Sequence, residues 1–82
     1  MASTSTAAAP APLDRITFDA AVMGGHACIR GLRVTVATIV DQMAEGASIE
    51  DILADYPYLE REDVRQALAY AARLARDEVI PA

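Results

Sequence analysis

The chain has 82 residues, 54% of them hydrophobic but with only one Phe, three Tyr and no Trp, and twelve acids against seven basic residues give a net charge of −5. A domain this short buries roughly 60% of the surface its unfolded chain exposes, and an alanine-rich apolar fraction adds little area per residue, so a homodimer or another obligate partner is expected to hide an apolar face. The acidic balance argues against nonspecific nucleic-acid binding, which basic side chains drive by neutralising phosphates. The single cysteine, Cys28, excludes an internal disulfide, and no stretch has membrane-spanning length or a secretory-signal pattern, so the expectation is a cytoplasmic protein that does not enter a membrane.

Residues 1–12 are Ala, Ser, Thr and Pro after the initial Met, with no charge to organise them and one large side chain at most. Such a stretch cannot offset the entropy lost on ordering, and it reads as a flexible arm ahead of a single domain over 13–80. Leu13 to Asp19 then alternates, with Ile16 and Phe18 on one face and Arg15, Thr17 and Asp19 on the other, the pattern of a short half-buried strand. Gly24 and Gly25 mark a turn. The second strand-like run is Cys28 to Val34, where Cys28, Arg30, Leu32 and Val34 would oppose Ile29, Gly31 and Arg33, unless Arg30-Gly31 is itself a tight turn.

Helix signals take over from Thr35. Thr35 or Thr38 can cap a first helix whose Val36, Ile39, Val40 and Met43 form one apolar stripe, and Gly46 ends it. Ser48 with Asp51 three residues on resembles a capping box, and it opens a short helix with Ile49, Ile52, Leu53 and Tyr56 inward, stopped by Pro57. A third helix starts at Glu60, with Glu60, Glu62 and Asp63 in the first turn where the dipole favours acids, and Val64, Ala67, Leu68, Ala71 and Leu74 or Ala75 as its buried stripe. Arg73 and Arg76 suit its negative pole. The expected fold is therefore mainly α: a trihelical helix-turn-helix domain, homeodomain-like or winged-helix-like, preceded by two short β-strands.

Little in the chain suggests catalysis. His26 and Cys28 stand two apart with no second ligand pair, short of a zinc site, and the acids repeat no recognised metal-loop spacing. No cofactor or metal is expected, and the protein reads as a non-enzyme. Arginine is the better candidate, because guanidinium groups engage phosphates and guanine edges bidentately. Arg30, Arg33 and Arg65 are the DNA-contact candidates. The competing role for Arg30 and Arg33 is an ion pair with an acid such as Asp19 or one from a second subunit. The start of the third helix would present Glu60, Arg61, Glu62 and Asp63 to a groove, and three acids there would repel a duplex.

The run Gly24-Gly25-x-x-Cys28-Ile29-Arg30-Gly31-x-Arg33-Val34-x-Val36, then Glu45 to Leu53, then Tyr56-Pro57-x-Leu59 and Glu62-Asp63-Val64-x-x-Ala67-Leu68-x-Tyr70-Ala71, resembles a small prokaryotic family known as a domain of unknown function and related to VapB-type antitoxins. The chain departs from that pattern at Ala27, where the family usually has proline, and at Leu32, where it usually has threonine. The resemblance implies the trihelical fold, frequent dimerisation, and neutralisation of a PIN-like ribonuclease toxin, as in a type II (VapBC-like) toxin-antitoxin system, with repression of its own operon through operator DNA as a second role. It also implies a C-terminal segment that inserts an arginine into the toxin's carboxylate cluster, which singles out Arg73, Leu74, Arg76, Val79 and Ile80. Gly24, Gly25, Gly31, Gly46 and Pro57 are its structural signature. A stand-alone DNA-binding transcriptional regulator and a protein-interaction adaptor without a toxin are the alternatives.

Overall fold

Capping decides where the helices of this protein begin. In the computed structural model, which describes residues 13–77, α1 spans Val36–Ala44 and opens behind Thr35, whose hydroxyl accepts the Thr38 amide at 3.1 Å, so Thr35 is the cap of the two threonines considered. The helix unwinds through Gly46, at φ +106°. Ser48 and Asp51 form the full reciprocal box in front of α2 (Ile49–Asp55): the Asp51 amide donates to Ser48 Oγ at 3.0 Å and the Ser48 amide donates to Asp51 Oδ2 at 2.9 Å. Two residues after α2 ends comes Pro57, and α3 (Arg61–Asp77) follows with Glu60 immediately before it.

The strands are shorter than their alternation suggests. β1 is Ile16–Thr17 and β2 is Cys28–Ile29, paired antiparallel with Ile16 opposite Ile29 and Thr17 opposite Cys28. Arg30-Gly31 is a turn: their φ angles are +49° and +71°, and the Leu32 amide closes back on the Ile29 carbonyl at 2.7 Å. Two consecutive positive φ values define the mirror-image turn that suits a tight hairpin. The chain then returns along β2, with the Ile29 amide donating to the Val34 carbonyl at 3.0 Å and Thr35 bridging Cys28. The strand expected over Cys28–Val34 thus folds back on itself, which is why Cys28 and Ile29 are both buried although neighbours in a strand face opposite ways.

The core lies where the ribbon meets the helices. Ile29, Val34, Val36, Ile39, Ile52, Leu59, Val64 and Ala67 form one buried cluster, with Ile29, Ile39, Ile52 and Val64 fully enclosed. The stripe of α3 holds at Val64 and Ala67, is half-covered at Leu68 and Ala71, and fails at Leu74, which is 50% exposed, and at Ala75. Length explains this. At 1.5 Å per residue the 17-residue α3 runs about twice as far as the nine-residue α1 packed against it, so its last turns outrun their cover.

Candidate functional site

Two features stand out: a buried charge cluster that fastens the N-terminal ribbon to α3, and an open apolar groove further along the same helix.

Asp63 is the centre of the cluster and is wholly buried. Its Oδ1 accepts Arg15 Nη1 and Arg30 Nε, both at 3.0 Å, while Oδ2 accepts Arg30 Nη2 at 2.9 Å and the Glu60 amide at 2.7 Å. Arg30 therefore grips the carboxylate with two parallel bonds and gives a further bond to the Tyr58 carbonyl at 2.9 Å. Arg15 also reaches Glu60 at 2.6 Å. Beside this, the buried Gln66 accepts the Arg15 amide at 2.9 Å and donates to Asp14 at 3.0 Å and to Glu62 at 2.9 Å. Burial pushes the Asp63 carboxyl up, but the bonds from Arg30, the Glu60 amide and Arg15 outweigh it and hold it below the usual carboxylate range. No buried side-chain nitrogen or oxygen among the described residues lacks a partner.

The cluster explains the backbone at Arg30. A non-glycine residue at positive φ is strained by about 1–2 kcal/mol, and here the bidentate grip on Asp63 holds the side chain that the turn has to carry. Of the two roles weighed for Arg30, the structure supplies an ion pair, with Asp63 of the same chain rather than with Asp19. Asp19 instead accepts the Ala21 amide at 2.9 Å. Asp63 is also removed from the acidic surface that the sequence assigned to the start of α3, which leaves Glu60 and Glu62 there, both in ion pairs or hydrogen bonds.

The remaining arginines divide cleanly. Arg65 forks onto Glu62 at 2.7 and 2.6 Å, and the Arg65 and Gln66 bonds draw the Glu62 carboxyl down to about 2. Arg61 pairs with Glu50 at 2.7 Å. Arg33, Arg73 and Arg76 have no ion-pair partner among the described side chains, and Arg33 and Arg76 are exposed. Hence, of the candidate DNA contacts, Arg30 and Arg65 are engaged within the chain and Arg33 alone is left open. Of the partner-binding candidates, Arg76 and Leu74 lie two residues apart on α3 and so face nearly opposite ways; Val79 and Ile80 lie outside the described residues.

The groove, about 600 Å³ in volume, lies between α1 and the second half of α3, with the His26-Ala27 loop at its edge. Ala37, Val40 and Asp41 form one wall and Tyr70, Ala71 and Leu74 the other. Phe18, 60% exposed, sits edge-on to Tyr70 with ring centroids 5.9 Å apart and extends the apolar surface beyond the groove. The sequence placed Val40, Ala71 and Leu74 on buried stripes and gave Phe18 a strand face; only the unequal helix lengths would have signalled that these stripes end in an open surface. Arg15 and Asp63 were also missed as a pair. Among the described residues no group of three or more His, Cys, Asp or Glu side chains is placed to hold a metal, and Cys28 is a buried thiol. No described helix is long and apolar enough to cross a membrane.

Comparison with known proteins agrees with this architecture. A crystal structure of a DUF433 member protein from Anabaena variabilis superposes with a TM-score of 0.69 at 30% sequence identity, covering 89% of this chain and 88% of that one. The fold of this chain is mainly helical, three helices preceded by two short antiparallel strands. The uncharacterised protein y4eO of Sinorhizobium fredii is 36% identical over 56 residues, which are 68% of this chain. The chain spans about a quarter of the length of that relative, 25%. Residues 16–71 match the family described as Protein of unknown function (DUF433), and the chain belongs to that family.

Proposed function

We propose that this protein is an antitoxin-like binding module of a VapBC-like system, which neutralises a PIN-like ribonuclease by inserting Arg76 into the enzyme's metal-binding carboxylate cluster. The observation that carries this reading is the partition of the arginines. Arg30 and Arg65, which would serve a nucleic acid, are held by Asp63 and Glu62, whereas Arg76 is exposed at the end of α3 with no carboxylate partner among the described side chains. A cation presented at a helix end, followed in sequence after Asp77 and Glu78 by the apolar pair Val79 and Ile80, supports a reading in which Arg76 enters a cleft lined with acids. The helices α1 to α3 are then a helix-turn-helix unit used as a scaffold.

On the same partition we rank operator binding second. One open arginine among the described residues of the ribbon, Arg33, set against the two acids Glu60 and Glu62 of the α3 start, is a weak electrostatic footprint for a duplex, because each neutralised phosphate contributes separately to affinity. The test is to search the genes beside this one for a PIN-like ribonuclease and to titrate its RNA cleavage with this protein. Arg76→Ala is expected to raise the concentration needed for half-inhibition about tenfold or more with the circular dichroism spectrum unchanged. Undiminished inhibition by Arg76→Ala, or the absence of any inhibition by the wild-type chain, would sink the reading.

A further inference from the structure

We infer that the groove between α1 and α3 seats a second copy of this chain, arranged about a two-fold axis so that the Tyr70–Leu74 ridge of each copy enters the groove of the other. Its walls are dominated by Ala37, Val40, Tyr70, Ala71 and Leu74, and the alanines on both helices let another helix approach closely. The acid in this wall is Asp41, which has no ion-pair partner among the described side chains. The fitting occupant is consequently a helix that pairs an apolar ridge with a cation.

The chain's own α3 is such a helix. Tyr70 and Leu74 form its ridge, and Arg73 flanks Tyr70 on a face about 60° away, again with no carboxylate partner among the described side chains. Asp41 on one wall and Arg73 beside the other give the patch opposite charges on its two sides, which a two-fold axis superposes as two identical Asp41–Arg73 pairs; a patch that is its own complement is what an isologous dimer requires. Phe18 and Leu74, 60% and 50% exposed, adjoin this groove, so one contact covers both. Arg76, on the far side of α3 from Leu74, stays outward, and self-association leaves it available.

Sedimentation equilibrium on the full chain tests this. The wild type is expected to be a dimer at about 100 µM, an ordinary strength for a small interface. Asp41→Arg and Arg73→Asp should each weaken the dimer about tenfold or more, because each turns both symmetric pairs from attraction to repulsion. Mixed together, the two variants should associate with one another, since Arg at 41 then meets Asp at 73 and Asp41 meets Arg73. Leu74→Glu, at an exposed position, should give a folded monomer by circular dichroism. A monomeric wild type overturns the inference, as does a mixture that fails to associate or a Leu74→Glu variant that dimerises like the wild type. If the wild type is monomeric and Leu74→Glu also fails to inhibit the ribonuclease, the groove belongs to that partner instead.

Discussion

Replacing Asp63 with asparagine changes almost no volume, so what it costs is chemical. The native carboxylate accepts four hydrogen bonds, two at each oxygen, all from nitrogen donors of Arg15, Arg30 and the Glu60 amide. Asparagine keeps one oxygen; its amide nitrogen is a donor, and whichever way it turns it meets two further donors. At least two bonds are lost, and two guanidinium groups are left side by side without their shared counter-ion. Charge-assisted bonds contribute about 1.5–3 kcal/mol each, and breaking a buried ion pair from one side costs about 3–5 kcal/mol. The arginines retain 29% and 38% of their side-chain exposure, so water reaches them and the cost falls to about 2–4 kcal/mol. A domain of this size has a total stability of only about 3–10 kcal/mol. In urea, with a slope near 1 kcal/mol/M, the midpoint should fall by about 2–4 M, or the folded baseline should vanish. Arg30→Lys, which keeps the charge but cannot grip both oxygens, should fall between the two. A midpoint lowered by less than about 0.5 M with an unchanged slope would refute the assignment of Asp63 as the fastening of the ribbon.

Acid should act through the same group. The Asp63 and Glu62 carboxyls both sit below their ordinary range in the folded chain, so the unfolded chain binds more protons, and stability is fully present above about pH 4–5 and is lost as pH falls towards the folded values. Thermal melts from pH 7 to pH 2 check this, and Asp63→Asn should flatten the fall. Ser48→Ala removes one half of the box in front of α2 and should cost about 1 kcal/mol by urea denaturation. Arg65→Ala opens a pair at the surface of α3 and should leave the urea midpoint within about 0.3 M of wild type. Gly31→Ala should cost about 1 kcal/mol for a purely conformational reason: its φ is +71°, yet an added Cβ would meet nothing within 4 Å.

The helices were legible because their signals are local. Thr35 and the Ser48–Asp51 box act within three residues, and the stripes through Ile39, Ile52 and Val64 repeat within a turn, so short windows of sequence contain the whole cause. The second strand was not, because Arg30 takes a left-handed conformation that its residue type disfavours and that is held from 33 positions away by Asp63. Glu60, Glu62 and Asp63 look interchangeable as acids in a first turn, and nothing nearby in sequence shows that the third turns inward to meet two arginines. Leu74 continues the α3 stripe without a break in pattern. It is exposed because α1 is too short to reach it, and such a mismatch emerges only when both helix ends are fixed.

Charge placement finally links fold to surface. With twelve acids and seven arginines the chain could have neutralised every cation internally. It holds four, Arg15, Arg30, Arg61 and Arg65, around the start of α3, where Glu60, Glu62 and Asp63 accumulate and where the ribbon must be anchored. The arginines without a described partner are Arg33, past the ribbon turn, and Arg73 and Arg76 in the last turns of α3, where Arg76 faces away from the uncovered Leu74. Anchoring the ribbon therefore removes the positive charge from the helix start that a groove-reading protein would present, and the excess length of α3 carries Arg73 out beside apolar surface and Arg76 onto the opposite face. Positive charge next to an open apolar groove, on a chain that is acidic elsewhere, supports the proposed reading of a surface that binds protein rather than phosphate.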